Sequence, residues 1–243
     1  EFLKIWDIID TFYKTFGFTL RVRLSFRDSN APEKYLGTHE IWDEAEAELR
    51  AIATERGADF FEGPGEAALY GPKLDFMASN AAGREWQVAT IILDMNIPER
   101  FDLVCVNEKG ERERIVMIHA AIAGSLERCA AILIEHYVGA FPLWLSPEQI
   151  RILPVSEGQL EYAKKIYEEL KAVGLRVELD DSNESLGKKI RNAKGDKLPY
   201  FAVVGDKEVV SKNVTLESRG GESKVMTLNE LANHLLTEIE AKS

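Results

Sequence analysis

The hydrophobic positions of the chain follow two periods, and these periods divide it into predicted helices and strands. Residues 2–15 and 41–56 repeat apolar side chains at the 3.6-residue spacing of a helix. Between them, residues 18–26 alternate apolar and polar side chains, which predicts a strand with one buried face. The glycines and prolines of 63–72 then predict a loop in which the backbone approaches another group closely.

Short apolar segments separated by turns fill the rest of the first half. The predicted strands lie at 74–79, 85–95, 101–107 and 114–118, with turns at 80–83 and 108–111. Sequential hairpins of this kind build an antiparallel sheet. The last strand runs into a helical pattern that ends near His136. We therefore expect an α+β architecture, an antiparallel sheet with helices on one face.

The pattern changes after a segment at 141–147 that is rich in proline and aromatic residues. Predicted strands lie at 150–155, 175–180, 200–205 and 213–218, and predicted helices at 157–172, 186–193 and 228–241. This alternation predicts a small mixed α/β domain with helices on both faces of its sheet. The expected domains are therefore 1–140 and 146–243.

Composition and charge narrow the class of protein. With 45% hydrophobic and 29% charged residues, the chain has the composition of a globular protein, and it has no apolar run long enough to cross a membrane. Its net charge of −11 argues against non-specific coating of nucleic acid. Cations concentrate in 188–197, which suits either a local contact with RNA or a solvated helix. Cys105 and Cys129 form no metal or disulfide pattern, which predicts buried free thiols in a reducing cytoplasm.

A polar cluster lies where the strand of 115–118 passes into a helix. Ser125, Glu127 and Arg128 follow a glycine at this junction. The planar, permanently charged arginine is suited to stacking on a flat base and to pairing with phosphate oxygens. The alternative is an arginine on a helix surface with Glu127 as its local partner.

The amino-acid sequence around this cluster resembles the third signature motif of class II aminoacyl-tRNA synthetases, and MIHAAIAGSLER resembles the threonyl enzymes in particular. The resemblance continues in order through LYGPKLDF, EWQVATIILDM, FPLWLSPEQIRILPV, GKKIRNA and VVGDKEV. It implies the C-terminal half of a class II catalytic domain, built on an antiparallel sheet. A small mixed α/β domain that resembles the anticodon-binding domain of these enzymes follows it.

The resemblance implies an ATP site, with Mg²⁺ accompanying the nucleotide. Arg128 corresponds to an arginine that lies against the adenine ring and neutralises phosphate charge, an electrostatic rather than a proton-transfer role. Ser125 corresponds to a serine that contacts adenosine, and its alternative is a helix cap. Gln87 corresponds to a glutamine that reaches ATP.

The resemblance also implies an amino-acid pocket with a zinc ion. His119 corresponds to one of three protein ligands of Zn²⁺, and the metal would bind the amino and hydroxyl groups of threonine and so exclude valine. The other two ligands and the first two class II motifs are expected upstream of Glu1. Tyr70 and Lys73 correspond to residues that shape the pocket and the approach of the tRNA terminus. Without the resemblance, His119 would be interpreted as a satisfied, partly buried histidine, and Lys73 as a lysine in a turn.

The second domain carries the predicted anticodon contacts. Asn183 and Glu208 correspond to positions that contact anticodon bases, and Lys188, Lys189 and Arg191 would hold phosphates. The alternative for Asn183 is an N-cap of the helix that follows it.

The implied function is ATP-dependent activation of threonine and its transfer to tRNA(Thr), by an enzyme that forms homodimers and does not associate with membranes. We expect this chain to be inactive alone, and we expect His119 and Arg128 to line one cavity. The alternative is a catalytically inactive paralogue that serves as a tRNA-binding module. It is favoured by Ala120 and Ile92, where the family has an arginine and a glutamine. A prolyl or glycyl enzyme is a third possibility, but it should not combine His119 with these motifs.

Overall fold

The first half of the chain is organised on a five-stranded sheet. A computed structural model describes residues 1–79 and 83–242, and it separates into two compact units, Glu1–His136 and Tyr137–Ser243. The helices of the first half are α1 (Phe2–Thr15), α2 (His39–Glu55), α3 (Ile97–Arg100) and α4 (Leu126–Tyr137), with a 3-10 turn at Pro32–Lys34. Its strands are β1 (Leu20–Phe26), β2 (Phe60–Pro64), β3 (Lys73–Ser79), β4 (Glu85–Asp94), β5 (Val104–Val106), β6 (Arg112–Arg114) and β7 (Met117–Ala121).

The main sheet has the strand order β2-β1-β3-β4-β7. The β1–β3, β3–β4 and β4–β7 pairs are antiparallel, as the sequence predicts. The edge strand β2 differs, because it pairs in parallel with β1 and lies partly in the segment that was expected to be a loop. The predicted turn at 80–83 falls mostly on residues 80–82, which lie outside the described part of the chain.

Helices α1 and α2 contribute the core that covers one face of this sheet. Trp6 of α1 meets Phe76 of β3 edge-on, with ring centroids 5.2 Å apart. Leu49 of α2 joins the same core. Along β3, Leu74 and Phe76 point into this core, so that Lys73 and Asp75 lie on the other face. We call that other face, with its polar residues on β1, β3, β4 and β7, the polar face.

Strands β5 and β6 form a separate hairpin rather than part of the main sheet. The turn between them is at the predicted place, and Asn107 accepts hydrogen bonds from the backbone N–H groups of Lys109 and Glu111. Strand β6 is exposed on both faces, so it has no apolar face to pack against the sheet. The prediction that both cysteines are buried is wrong for Cys105, because it lies on this exposed hairpin; Cys129 is half-buried.

The second unit holds a five-stranded mixed sheet in the order β12-β11-β10-β8-β9. Its strands are β8 (Ile150–Pro154), β9 (Val177–Leu179), β10 (Tyr200–Val204), β11 (Asn213–Ser218) and β12 (Ser223–Thr227). Its helices are α5 (Leu160–Ala172), which a 3-10 turn at Glu157–Gln159 precedes, α6 (Leu186–Gly195), α7 (Asp206–Ser211) and α8 (Leu228–Ala241). Strands β9, β8 and β10 are parallel, and β11 and β12 add antiparallel pairs. Helix α7 and strand β12 were not predicted.

Helices cover both faces of this second sheet, as the sequence predicts. Ile152 of β8 packs in a core with residues of α5 and α8, whereas its neighbour Leu153 packs with Ala193 of α6. Adjacent residues of a strand point to opposite faces, so two separate cores result. Among the described residues, no helix combines the length and the apolar run that crossing a membrane requires.

Candidate active site and RNA-binding cleft

The polar face is organised around the carboxylate of Asp75, which has no exposed surface. The Lys73 ammonium donates to its Oδ2 at 2.8 Å, and the Arg23 guanidinium donates to the same oxygen at 2.9 Å. The Ser25 hydroxyl adds a third bond to Oδ2 at 2.7 Å. One buried anion therefore fixes two cations on neighbouring strands.

The other oxygen of Asp75 fixes a neutral pair on β4. The Gln87 amide and the Thr90 hydroxyl each donate to Oδ1 at 2.7 Å. The Arg23 guanidinium donates to the Gln87 carbonyl oxygen at 3.0 Å, so the amide has a defined orientation. Lys73 and Gln87, which were predicted separately for the amino-acid pocket and for ATP, are thus held by the same carboxylate.

The hydrogen bonds to Asp75 also decide its protonation. Burial alone would raise the pKa of this carboxyl, but donors from Lys73, Ser25, Arg23 and Thr90 outweigh burial and lower the pKa below its ordinary value. Asp75 is therefore a permanent anion at neutral pH. The Arg23 guanidinium also lies 3.4 Å from the Glu66 carboxylate, so the two cations and the two carboxylates leave this part of the face without a net charge.

His119 lies on the same face, one strand further along the sheet. Its Nε2 is 2.8 Å from Oδ2 of Asp94, a carboxylate with no exposed surface, and a third of its own side chain is exposed. The Tyr70 ring lies beside the imidazole, with ring centroids 5.1 Å apart. The structure thus brings the two predicted pocket residues Tyr70 and His119 together.

Ile92 occupies the centre of the polar face. It is the Cα partner of Lys73 on β3 and of His119 on β7. An apolar side chain therefore lies between two predicted pocket residues. Ala120 pairs with Ile91, so it lies on the opposite face of the sheet from His119.

The junction before α4 is held by contacts with α1 and β4. The Tyr13 hydroxyl hydrogen-bonds with the carbonyl oxygens of Val88, at 2.7 Å, and Ile122, at 2.9 Å. Gly124 has φ +62°, and a Cβ there would lie 3.1 Å from the Val88 oxygen. Ser125 Oγ accepts the backbone N–H of Arg128 at 3.1 Å, so this serine caps the helix.

Arg128 is exposed on the first turn of α4. Within residues 1–79 and 83–242 its guanidinium has no acidic or hydrogen-bonding partner, so the interpretation as a surface pair with Glu127 fails. The small cavity that it lines is otherwise mostly apolar, with Val88 and Cys129 among its walls and without His119. A cavity shared by His119 and Arg128 stays a prediction.

The described residues do not form a complete metal site. They contain no group of three or more His, Cys, Asp or Glu side chains arranged to hold an ion. His119 suits the role of a single ligand, because a buried carboxylate orients its ring. Both carboxylate oxygens of Asp94 are already in contact, one with His119 and the other with two backbone N–H groups.

The second unit contains a polar cleft of about 550 Å³ at the carboxyl ends of β8 and β9. Ser156 and Glu157 form one side, and residues 181–184 form another. Asn183 is exposed there and lies two residues before Ser185, the N-cap position of α6, which argues against its being the cap. The Lys188 ammonium donates to Oε1 of Glu184 at 2.6 Å, while the buried Oε2 of Glu184 has no hydrogen-bond partner within the described part of the chain.

The three residues that were predicted to bind phosphate differ in their exposure to solvent. Lys188 is exposed, and so is Arg191. Lys189 is only 3% exposed, and its ammonium donates to the carbonyl oxygens of Asp180, at 2.8 Å, and Pro154, at 3.3 Å. It ties together the ends of β8 and β9, so the prediction that it holds phosphate is wrong.

Glu208 is engaged within the protein. Its Oε2 accepts the backbone N–H of Gly205 at 2.9 Å, and its Oε1 accepts the Thr215 hydroxyl at 2.7 Å. Burial would raise the pKa of this carboxyl, but these donors lower it. Its role as an anticodon contact stays a prediction.

The sequence comparisons agree with this geometry. The profile of the tRNA synthetase class II core domain (G, H, P, S and T) matches residues 1–137, which is more than half of the chain. The chain belongs to the class II aminoacyl-tRNA synthetases. A second profile, the anticodon binding domain, matches residues 149–238. The described fold of this class II synthetase chain thus has the core and anticodon-binding parts that the sequence predicts.

Similar proteins are threonyl enzymes. The threonine–tRNA ligase of Synechococcus elongatus is 47% identical over 100% of this synthetase chain and 40% of its own length, and that of Carboxydothermus hydrogenoformans is 44% identical over 100% and 38%. The chain thus spans about two fifths of these relatives. The crystal structure of the RNA binding domain of threonyl-tRNA synthetase from Cryptosporidium parvum Iowa II has a TM-score of 0.89 at 37% identity and covers 97% of this chain and 59% of that one.

The polar residues that hold this synthetase site together, two of them buried and two half-buried, were not found from the sequence. Arg23, Ser25, Asp75 and Thr90 alternate with apolar residues on three strands, a pattern that normally indicates a solvent-facing side. The signal that could have found them is their shared register: Asp75 is the Cα partner of both Arg23 and Thr90. Charged and hydroxyl side chains opposite one another on neighbouring strands indicate a network.

Proposed function

We propose that this chain is part of a threonine–tRNA ligase, which activates threonine with ATP and transfers it to tRNA(Thr). The observation that carries the proposal is the polar face, on which two buried carboxylates hold Lys73, Gln87 and His119. The Tyr70 ring lies beside His119. The names of the 44–47% identical relatives support the same activity. The proposed domains are 1–140 for the catalytic part and 146–243 for the anticodon-binding part.

The chemistry that this face suits is electrostatic. When the carboxylate of threonine attacks the α-phosphate of ATP and pyrophosphate leaves, negative charge builds up on the oxygens around the α-phosphorus and on the departing pyrophosphate. A cation held in place beforehand stabilises such charge without reorganising during the reaction. Lys73 is held in this way by Asp75, and Gln87 presents an oriented amide for polar contact with the nucleotide. Arg128, free of internal partners among the described residues, is the proposed contact for adenine and phosphate, with Ser125 beside it. ATP would bind with Mg²⁺.

His119 is the proposed contact for the amino acid, with Tyr70 beside it. A zinc ion, if bound, would polarise the amino and hydroxyl groups of threonine, and His119 would be one of its ligands. A polar contact to the hydroxyl separates threonine from valine far better than an apolar pocket does.

The second unit is the proposed reader of the anticodon of tRNA(Thr). Asn183 lies exposed on a polar cleft wide enough for an unstacked base, as single-stranded RNA recognition requires. Lys188 and Arg191 are the proposed phosphate contacts and Glu208 a further base contact. We also propose a homodimer in the cytoplasm for the whole enzyme, as is usual in the class.

The activity is best tested in a chimera. This chain would replace the matching C-terminal portion of the Synechococcus elongatus ligase, and threonine-dependent ATP–pyrophosphate exchange would be measured. We expect exchange by the chimera and none by the isolated chain. A folded chimera that binds ATP but activates no threonine would overturn the ligase proposal.

RNA binding is tested separately by calorimetry. The chain is titrated with a threonine-tRNA anticodon stem-loop and, as the control, with an unrelated stem-loop of equal length. We expect tighter binding to the threonine stem-loop. Equal dissociation constants for the two RNAs would remove the anticodon assignment.

The second candidate function is a tRNA-binding module that has lost catalysis. Ile92 favours it, because an apolar side chain stands between Lys73 and His119. The discriminating variant is Ile92→Gln in the chimera. If the proposal of an active ligase is right, this change raises kcat/KM by roughly 2- to 10-fold, the value of one added hydrogen bond. If the native chimera is inactive while RNA binding is specific, the binding module is the better description.

A further inference from the structure

Two buried polar residues lie at and just after the end of β4, next to the proposed contacts for the amino acid. Asp94 has no exposed surface, and Asn96 is only 4% exposed. Burying such groups costs free energy unless each is hydrogen-bonded, so their contacts indicate what they do.

Asp94 makes contacts with both carboxylate oxygens. Its Oδ1 accepts the backbone N–H groups of Asn96, at 3.0 Å, and of Ile97, at 2.9 Å, which fixes the carboxylate at the start of α3. Its Oδ2 lies 2.8 Å from Nε2 of His119. A carboxylate that accepts two backbone donors acts as an acceptor toward the imidazole as well, so the proton of the contact belongs to Nε2.

The contact with Asp94 therefore sets the tautomer of His119. A neutral imidazole carries one proton, and a proton held on Nε2 leaves the lone pair on Nδ1. That nitrogen is then able to accept a hydrogen bond from an ammonium or hydroxyl group, or to donate its electron pair to a metal ion.

Asn96 positions the residue that lies beside His119. Its Nδ2 donates to the backbone carbonyl oxygen of Tyr70 at 3.0 Å. The next residue, Gly71, packs so tightly on β4 that a Cβ there would lie 2.1 Å from the Leu93 carbonyl oxygen. The Tyr70 turn is therefore fixed on the end of β4, with its ring centroid 5.1 Å from that of His119.

We propose that Asp94 and Asn96 are positioning residues for the amino-acid pocket: Asp94 fixes the Nε2–H tautomer and orientation of His119, and Asn96 fixes the Tyr70 turn beside it. This deepens the proposed function and rests on it only for the identity of the ligand. The arrangement of the four side chains is a property of this chain by itself.

The first experiment measures the tautomer of His119 directly. The chain is labelled with ¹⁵N-histidine, long-range ¹H–¹⁵N spectra are recorded at pH 8, and His119→Gln identifies the signal among the 4 histidines. We expect His119 in the Nε2–H form alone, and the signal of His39, which is exposed on α2, serves as the comparison. A mixed or Nδ1–H signal for His119 would overturn the proposal without any need for a variant at Asp94.

Asp94→Asn makes the test sharper. The asparagine carbonyl still accepts from the backbone, but its amide now donates to Nε2, so the proton of His119 should move to Nδ1. The matched control is Asp102→Asn, an exposed aspartate just after α3 that pairs with Arg114 and should leave the tautomer unchanged. An unchanged tautomer in a folded Asp94→Asn chain would contradict the assignment.

The second experiment tests Asn96. Tyr70→Leu removes the ring next to His119 and should shift the His119 Hε1 resonance. Asn96→Ala should shift it in the same direction and by less, because the turn is released but the ring is kept. A resonance that Tyr70→Leu moves and Asn96→Ala leaves in place would show that Asn96 does not position the turn.

A kinetic readout in the chimera connects the arrangement with catalysis. Replacing a carboxylate that orients a ligand-binding histidine typically costs 10- to 100-fold in activity, and we expect such a loss of kcat/KM for threonine in Asp94→Asn. The loss should vanish when His119 is already alanine, because both changes remove the same contact. An inactive chimera would count against the ligase proposal alone, since the tautomer is measured without any substrate.

Discussion

The candidate functional side chains are held firmly on the polar face of the first unit, whereas those in the cleft of the second unit are exposed or incompletely hydrogen-bonded. On the polar face, Lys73 and Gln87 are fixed by a buried carboxylate, and His119 is fixed by another. In the cleft, Asn183 is exposed, and one carboxylate oxygen of Glu184 has no hydrogen-bond partner among residues 1–79 and 83–242. The difference corresponds to the proposed ligands. A small substrate in a reaction requires groups held in place beforehand, whereas an RNA loop brings its own groups and orders the site on binding.

The largest expected effect comes from removing the anion of the polar face. Asp75→Asn leaves two half-buried cations without the buried carboxylate that they share, and breaking a buried pair costs about 3–5 kcal/mol in the free energy of unfolding. The measurement is urea unfolding followed by circular dichroism.

Its matched control is Asp59→Asn, at the residue just before β2 of the same sheet. This exposed carboxylate pairs with Arg21 at 3.3 Å, and exposed pairs contribute about 0–1 kcal/mol. If both variants lose the same small amount of free energy of unfolding, Asp75 does not organise the polar face.

A smaller loss is expected in the second unit from Lys189→Met. The change leaves the carbonyl oxygens of Pro154 and Asp180 without their buried donor, which costs about 1–3 kcal/mol. Lys188→Met is the control, since that lysine is exposed, and its stability should change by under about 0.5 kcal/mol. Because Lys189 joins the strands that precede the cleft, Lys189→Met should weaken stem-loop binding by loosening the cleft. Lys188→Met should weaken binding through the lost phosphate contact, at unchanged stability. A reversed order of the two stabilities would contradict the distinction between them.

The cap of α4 gives the next effect. Ser125→Ala removes the acceptor of the Arg128 N–H group and should cost about 1 kcal/mol of stability. Ser125→Asn, which restores a capping oxygen, should recover most of that loss while still removing the serine. If Ser125→Asn is stable but weakens ATP binding in the chimera, the serine also contacts the nucleotide, as the sequence predicts.

The smallest effect is on the acid side of the stability curve. Since the pKa of Asp75 is lower in the folded chain than in the unfolded one, its stabilising contribution is present above the unfolded pKa. It disappears as the pH falls through the folded value. The difference in stability between the native chain and Asp75→Asn should therefore shrink as the pH is lowered below about 4. A difference that stays constant down to pH 2 would mean that ionisation of Asp75 does not stabilise the fold.

The sequence predicted the elements whose period is uninterrupted. The alternation in β1 and β3 and the helical spacing of α1, α2 and α5 are visible because one side of each element is apolar. Strand β2 escaped prediction because Gly63 and Pro64 are typical of loops, and its parallel partner on β1 is distant in sequence. Helix α7 escaped because it has only six residues.

The candidate site was predictable only in part, for a physical reason. Residue types and motifs indicated His119, Lys73 and Gln87, but no period reveals that a carboxylate on a middle strand is buried under its own partners. Lys189 is different, because it lies on the same helical stripe as Ile190 and Ala193 and was predictable as buried. The positive charge of Lys189 alone suggested a phosphate contact, whereas its position in the helix indicated a side chain in the protein interior.

The role of the polar face is tested most directly by threonine-dependent ATP–pyrophosphate exchange in the chimera. The variant His119→Ala is compared with His39→Ala. We expect exchange with threonine and far less exchange with valine. The exchange with threonine should be retained in His39→Ala and lost in His119→Ala. A chimera that activates threonine equally well with alanine at residue 119 would contradict the central claim that the polar face is the amino-acid side of the active site.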